Sequence, residues 1–194
     1  MKDIHRPVKG QSKGWEDHSL QTLIKLIKRG DEHGKAERLL LVSLEITAQR
    51  FIWQEFDTYN VGVIKGNSES TMYTLLKELE NARGDWMKVS YLFTKETPIL
   101  SIKTLIKLYE ENKHRIDKNE LRVIIKSALP EGFLQTRTRV ISYQTLRRMY
   151  NQRKNHLMPW WDAFFTQLLP QLNEKQLLCE TWGLKERHED LICQ

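Results

Sequence analysis

Apolar residues recur at every third or fourth position along most of this chain of 194 residues, and two segments depart from that spacing. Residues 19–29 place Leu20, Leu23, Ile24 and Ile27 on one face, which is typical of an amphipathic helix. The same spacing predicts helices over residues 47–56, 70–82, 101–115, 118–129, 143–154 and 160–169. Residues 38–46 form a short apolar run that predicts a buried strand, although periodicity leaves a helix open there. Residues 134–142 alternate and are rich in β-branched side chains, which indicates a strand. We therefore expect an α+β or mainly α fold, with two to four strands and about six helices.

The composition is that of one globular domain. The apolar fraction is 40% and the charged fraction is 29%, both ordinary for such a protein. We expect residues 1–18 to form a mobile, polar N-terminal arm and residues 19–194 to form a single domain. No run of 18 apolar residues occurs, so we expect no membrane partner. Two cysteines are too few for a disulfide framework, so we expect free thiols and a cytoplasmic location.

A basic segment lies late in the chain. Residues 133–161 contain no Asp or Glu. Arg137 and Arg139 lie two positions apart, so they share one face of the predicted strand. Arg153 follows Leu146, Met149 and Tyr150 at helical spacing, which places it on the apolar face of the predicted helix. A buried arginine requires an anion, and the partner is either an internal carboxylate or the phosphate or carboxylate of a ligand.

The stretch "EFDTYNVGVIKGNSEST", residues 55–71, carries an unusual number of short polar side chains. Its glycines predict a loop from residue 58 to residue 67. The run from Asn67 to Thr71 is typical of a helix N-cap, and it also suits a ligand pocket. His33 stands among polar neighbours in "DEHGK" and is a further candidate. The six histidines are scattered, so we expect no metal site.

The order of these motifs resembles the flavin-dependent thymidylate synthase (ThyX) family over residues 31–170. The best-matching pieces are Glu32-His33, then Asn67-x-x-Ser70-x-x-Tyr73, then Leu129-Pro130-Glu131, and Arg153. The "EFDTY…NSxST" core is also similar to that of small phage-encoded relatives, so the chain resembles a divergent, phage-type member.

The resemblance implies an antiparallel sheet packed with helices and a shared pocket for FAD and dUMP. It implies that the nucleotide and flavin are bound by His33, Asn67, Ser70, Tyr73, Arg137, Arg139 and Arg153. Members build each site from several subunits, so it also implies a homo-oligomer, with a tetramer as the candidate state. The aromatic residues Trp53, Phe56, Trp160, Trp161 and Phe164 are candidates for that interface.

The chain departs from the family at positions where the family carries positively charged residues. Glu55, Phe56 and Asp57 stand at the place of the family's R-H-R, and Met72 stands for an arginine that meets the nucleotide phosphate. We therefore expect a nucleotide-binding protein without thymidylate synthesis. Its acids are expected to accept hydrogen bonds either from the neutral edge of a ligand or from Arg137, Arg139 or Arg153. The alternative is a non-catalytic phage accessory protein that binds nucleic acid or a host protein through its basic segment.

Overall fold

The structure is a computed structural model that describes residues 17–68 and 71–193, with the side chains of residues 17 and 71–73 outside the description. The predicted N-terminal arm lies almost entirely outside these residues. Three strands occur in the described part of the chain, β1 (Leu41–Gln49), β2 (Val63–Ser68) and β3 (Leu134–Ser142). The helices described there are α1 (Asp17–Lys28), α2 (Arg50–Phe56), α3 (Thr71–Ala82), α4 (Ile99–Asn112), α5 (Lys118–Ser127), α6 (Tyr143–Arg153), α7 (Pro159–Leu168), α8 (Lys175–Thr181) and α9 (Glu186–Ile192). None of these helices has the length and apolar composition needed to cross a membrane.

The three strands form one antiparallel sheet in the order β1-β3-β2. The prediction of an α+β fold with an antiparallel sheet is confirmed. A 3-10 helix over residues 35–39 includes the first two residues of the predicted strand 38–46, so β1 begins about three residues later than the sequence predicts. The predicted segment 134–142 has the bounds of β3.

Two compact units make up the described chain. The first comprises residues up to 46, residues 59–67 and residues 138 onward. Helices α1, α6, α7, α8 and α9 belong to it. Its largest fully buried side chains include Tyr150, Trp161, Phe164, Phe165 and Trp182. These aromatic rings pack edge to face in several pairs, for example Tyr150 on Phe165, so aromatic contacts join the aliphatic side chains of this core.

The second unit comprises residues 47–58 and 68–137. Helix α4 buries Ile102, Leu105, Ile106 and Tyr109, as the helical spacing predicts. Asp117 caps α5 by accepting hydrogen bonds from the backbone N–H groups of residues 119 and 120. Helix α5 contacts both α3 and α4 around a hydrophobic cluster that includes Leu79, Leu105 and Ile125.

The loop predicted over residues 58–67 contains strand β2, and in this respect the prediction is wrong. Five of the six residues of β2 are exposed, so the strand has no apolar alternation that a sequence pattern could reveal. Its position depends on pairing with β3. At Gly66 the backbone runs so close to β3 that an added Cβ atom would lie 3.2 Å from the Cβ atom of Thr138, and a glycine allows that approach.

The prediction of free thiols is also wrong, because Cys179 and Cys193 form a disulfide. Helices α8 and α9 contact each other, and the Cα atoms of the two cysteines lie 5.9 Å apart. That separation falls within the usual range for a disulfide. Sequence spacing alone could not reveal that the two helices bring these residues together.

The aromatic residues predicted to form a subunit interface are mostly core residues. Trp53 and Phe56 are buried in the second unit, and Trp161 and Phe164 are buried in the first. Only Trp160 in this set is half-buried. Large rings remove more apolar surface from water than any other side chain, and here most of that burial occurs within the chain. The positions of these rings therefore give no support to the prediction of a homo-oligomer.

Candidate functional site: a cationic cavity in the second unit

A cavity of about 290 Å³ lies in the second unit, where α2 and the start of β3 meet the end of α5. This volume is close to the lower limit for ligand pockets, about 300 Å³. Three cationic side chains and one carboxylate line the cavity, together with two amides, an indole ring and a leucine. They are Arg50, Lys126, Arg137, Asp57, Gln54, Gln135, Trp53 and Leu129.

Helix α2 positions half of this lining. Arg50 and Gln54 lie four residues apart, so they occupy the same face of the helix. The backbone N–H of Arg50 donates to carbonyl oxygens of Glu131 and Phe133, at 3.1 and 3.2 Å. Its guanidinium donates to the carbonyl oxygen of Leu129 at 2.6 Å. Arg50 is therefore held at both ends, and its side chain still lines the cavity.

Arg137 is bound on three sides. Its guanidinium lies over the indole ring of Trp53, 4.6 Å from the ring centroid. It donates to the Asp57 carboxylate at 3.0 Å and to the Gln135 side-chain oxygen at 2.8 Å. The prediction that an acid of the stretch 55–57 accepts from Arg137 is confirmed for Asp57. The Arg137 guanidinium therefore offsets the negative charge of Asp57, one of the two acids that stand in place of the family's cationic residues.

The cavity keeps an excess of positive charge after that pairing. Asp57 offsets one of the three lining cations. Arg50 also lies 3.6 Å from Glu131, whose side chain is half exposed. Lys126 is exposed and makes no ion pair with a residue that the structure describes. A small anion with hydrogen-bonding groups is the ligand that this lining suits.

The other predicted site residues have different surroundings. His33 is exposed in the turn after α1, with Nε2 3.5 Å from the Glu32 carboxylate. Asn67 is exposed near the end of β2. Arg139 is buried and donates to the carbonyl oxygen of Thr138. Ser70 and the side chain of Tyr73 lie outside the described residues. The assignment of these residues to a ligand stays a prediction.

Arg153 ends α6 in the first unit, where it meets aromatic groups. Its Nε donates to the Tyr59 hydroxyl at 2.9 Å. Its guanidinium carbon lies 5.0 Å from the ring centroid of Trp161 and 5.7 Å from that of Tyr59. The helical spacing correctly placed it beside apolar side chains. A guanidinium can lie there because it stacks on rings and is weakly hydrated.

Two arginines of the basic segment form a charge network in the first unit. Arg147 donates to Asp31 at 2.6 Å and to the fully buried Glu37 at 2.9 Å. Arg148 donates to Asp31 at 2.6 Å. The hydrogen bond from Arg147 holds the pKa of Asp31 below its usual value. Burial raises the pKa of Glu37, and the contact with Arg147 opposes that rise.

Comparisons with known proteins bear on the fold. No model of a known protein family matches the sequence, and no curated protein matches it either. Solved structures do match. A flavin-dependent thymidylate synthase ThyX from Helicobacter pylori, complexed with FAD and dUMP, superposes with a TM-score of 0.66 and 16% sequence identity. The match covers 89% of this chain and 86% of that chain. The fold is that of ThyX.

A second Helicobacter pylori structure of ThyX with FAD and dUMP gives the same TM-score. It is 17% identical and covers 95% of this chain and 88% of that chain. At this identity the ThyX likeness concerns the path of the chain alone. The ThyX-like fold implied by the motif order is thereby confirmed.

Sequence reasoning found Arg137 and Asp57 and missed the rest of the cavity lining. Arg50, Gln54 and Trp53 sit on a helix that was predicted, and their i, i+4 spacing was a usable signal. Lys126 comes from the end of α5, more than seventy residues later in the chain. Its approach to α2 depends on tertiary packing, for which the sequence carries no local signal.

Proposed function

We propose that the protein binds a nucleotide in the cationic cavity of the second unit and does not synthesise thymidylate. The observation that carries the proposal is the excess of cationic side chains beside two amides in a cavity near the size of small-ligand pockets. Arg50 and Lys126 supply donors for a phosphate. Gln54 and Gln135 offer amides that can pair with the polar edge of a base. The ThyX structures of the same fold hold dUMP and FAD.

The cavity suits a fragment the size of a mononucleotide and is too small to enclose a dinucleotide such as FAD. The cavity therefore does not fit a whole flavin cofactor. The absorbance spectrum of the purified protein, with and without added FAD, tests this cofactor directly.

Titration calorimetry with dUMP tests nucleotide binding. We expect measurable binding to the unmodified protein, weakened by roughly fivefold in Lys126→Gln because one exposed charge-assisted contact contributes about 1 kcal/mol. Lys88→Gln, an exposed lysine of the same unit outside the cavity, is the matched control and should bind dUMP normally. Equal loss in both variants, or no binding of dUMP at all, would contradict the proposal.

The absence of thymidylate synthesis follows from the charge of the stretch 55–57. Acids stand there in place of a cationic signature, so this stretch lacks the positive charges that would hold a nucleotide phosphate in a ThyX-like site. Incubation with dUMP, methylenetetrahydrofolate, NADPH and FAD should yield no dTMP. Detectable turnover would refute this part of the proposal.

Binding of nucleic acid or of a host protein is the weaker alternative. It relied on the basic segment 137–154. In that segment Arg137, Arg147 and Arg148 pair with carboxylates of the chain, and Arg139 is buried. Phosphate binding to a nucleic acid requires exposed cations. A phage origin stays a prediction, as does a cytoplasmic location, for which the argument from free thiols no longer holds.

We further propose that the protein forms a homo-oligomer through strand β2. This strand lies at the edge of the sheet. Its exposed residues include Ile64, and Val61 just before the strand is also exposed. An exposed edge strand offers backbone hydrogen-bonding groups to another chain. A second copy that covers β2 would bury both the edge and these apolar side chains.

A further inference from the structure

A second and larger cavity lies in the second unit, between α3, α4 and the start of α5. Its volume is about 560 Å³, which is well within the range of pockets for small organic ligands. The lining differs from that of the first cavity in all its residues. It consists of Leu76, Lys77, Glu80, Tyr109, Lys113, Ile116, Lys118, Leu121 and Arg122.

The floor of this cavity is apolar and aromatic. Leu76 and Leu121 are buried members of the hydrophobic cluster of the unit. Tyr109 is only 5% exposed, and its hydroxyl makes no hydrogen bond to any residue within the described ranges. Burial raises the pKa of this phenol, so it is a neutral donor. Tyr109 lines the cavity, so its hydroxyl can donate to an oxygen of a bound ligand.

The rim carries four cations and one acid. Lys113 pairs with Glu110 at 2.5 Å. Arg122 donates to the neutral amide oxygen of Asn119 at 2.6 Å. Lys77 and Lys118 make no ion pair with a described residue. In contrast to Arg137 in the first cavity, neither lysine is within ion-pair distance of a carboxylate in the part of the chain that the structure describes.

We propose that this cavity binds a small aromatic phosphate monoester. The aromatic body would lie on the floor formed by Leu76, Leu121 and the ring of Tyr109. The phosphate would be bound by Lys77 and Lys118 at the rim, because charge-assisted hydrogen bonds to phosphate are stronger than neutral ones. The Tyr109 hydroxyl would donate to an oxygen of the ligand. Glu80 lines the same cavity, and its carboxylate repels a phosphate dianion. The phosphate is therefore favoured at the part of the rim where the lysines outnumber this carboxylate.

Fluorescence titration with 4-methylumbelliferyl phosphate tests the site. We expect saturable binding that weakens by at least tenfold in Lys77→Gln/Lys118→Gln. The control is Lys88→Gln/Lys95→Gln, which removes the same charge from exposed positions of the same unit outside the cavity. Both double variants change exposed side chains, and equal melting temperatures will verify that both are folded. The control should bind the probe as the unmodified protein does.

Two other ligands and one variant separate the contributions of the phosphate, the aromatic ring and the Tyr109 hydroxyl to binding. The parent 4-methylumbelliferone should bind much more weakly, because it lacks the phosphate, and inorganic phosphate should compete only at far higher concentration, because it lacks the ring. Tyr109→Phe should weaken binding of the phosphate ester severalfold while the protein stays folded. Equal affinity for ester and parent phenol, or equal loss in both double variants, would overturn the proposal. A short single-stranded DNA that displaces the ester at lower concentration than any mononucleotide would also overturn it, in favour of a nucleic-acid site.

This result is independent of the nucleotide proposed for the first cavity. Lys126 does not line the larger cavity, so Lys126→Gln should bind the ester normally. A protein that binds the ester and not dUMP would retain this inference and lose the proposed function.

Discussion

Asp57 limits the electrostatic attraction between Arg137 and an anionic ligand, because the two side chains pair at 3.0 Å. Asp57→Asn should release Arg137 and tighten dUMP binding severalfold by calorimetry. The loss of a partly exposed ion pair should cost about 1 kcal/mol, which corresponds to a fall in melting temperature of roughly 2–4 °C. Glu55→Gln, which makes the same charge change outside the cavity lining, serves as the control. If Asp57→Asn leaves dUMP affinity unchanged, the carboxylate does not compete with the nucleotide.

His188 makes the stability of the protein depend on pH. It is fully buried, and its ring nitrogens lie 3.0 Å from the Tyr150 hydroxyl and 3.1 Å from the Thr166 hydroxyl. Burial, with smaller contributions from the charges of Arg187 and Lys185, lowers its pKa to about 4. The Asp162 carboxylate, 3.9 Å from Nε2, pairs with Arg187. The folded protein therefore binds a proton at His188 less readily than the unfolded chain, whose histidine has a pKa of about 6.5.

The stability that neutral His188 contributes is fully present above pH 6.5 and is lost as the pH falls towards 4. The loss should be roughly 1 to 3 kcal/mol. Denaturant unfolding at pH 4, 5, 6 and 7 measures it. His188→Asn should be less stable at pH 7 and should show a shallower fall over this range. A variant with the same slope as the unmodified protein would show that other groups cause the pH dependence.

At the scale of elements, the disulfide Cys179–Cys193 ties α8 to the residue after α9. It closes a loop with a sequence separation of 14. Closing a loop of about 15 residues restricts the unfolded chain and stabilises the folded state by about 3 kcal/mol. Cys179→Ser/Cys193→Ser should unfold at lower denaturant concentration by a corresponding amount. Dithiothreitol should shift the unmodified protein to the same midpoint and leave the variant unaffected; a variant that still responds would exclude this explanation.

At the scale of the whole molecule, the proposed homo-oligomer through strand β2 can be tested by its mass. Light scattering should give a mass that is a multiple of 23.1 kDa, the mass of one chain. Ile64→Lys should shift the protein towards the monomer, because a lysine on an exposed edge strand opposes pairing with another chain. Lys65→Arg, at the next position of β2, keeps the positive charge of that residue and should not alter the mass. A mass of 23.1 kDa for the unmodified protein would rule out the oligomer.

The amino-acid sequence by itself determined most elements of this protein. The apolar faces of α1 and α4 are buried as their helical spacing predicts, because a 3.6-residue period and one core-facing stripe are local properties of the chain. The order of polar motifs implied the ThyX-like fold, which the structural matches share. Asp57 was correctly expected to accept hydrogen bonds from an arginine.

Tertiary structure alone decided the remaining features. Strand β2 has no apolar alternation and forms because β3 pairs with it. Lys126 reaches the first cavity only through the packing of the second unit, and the two cysteines meet only because α8 contacts α9. The same holds for Arg147, whose carboxylate partners lie more than a hundred residues earlier in the chain. Each of these contacts joins residues that are distant in sequence, and the free energy of such a contact depends on a geometry that no local pattern encodes.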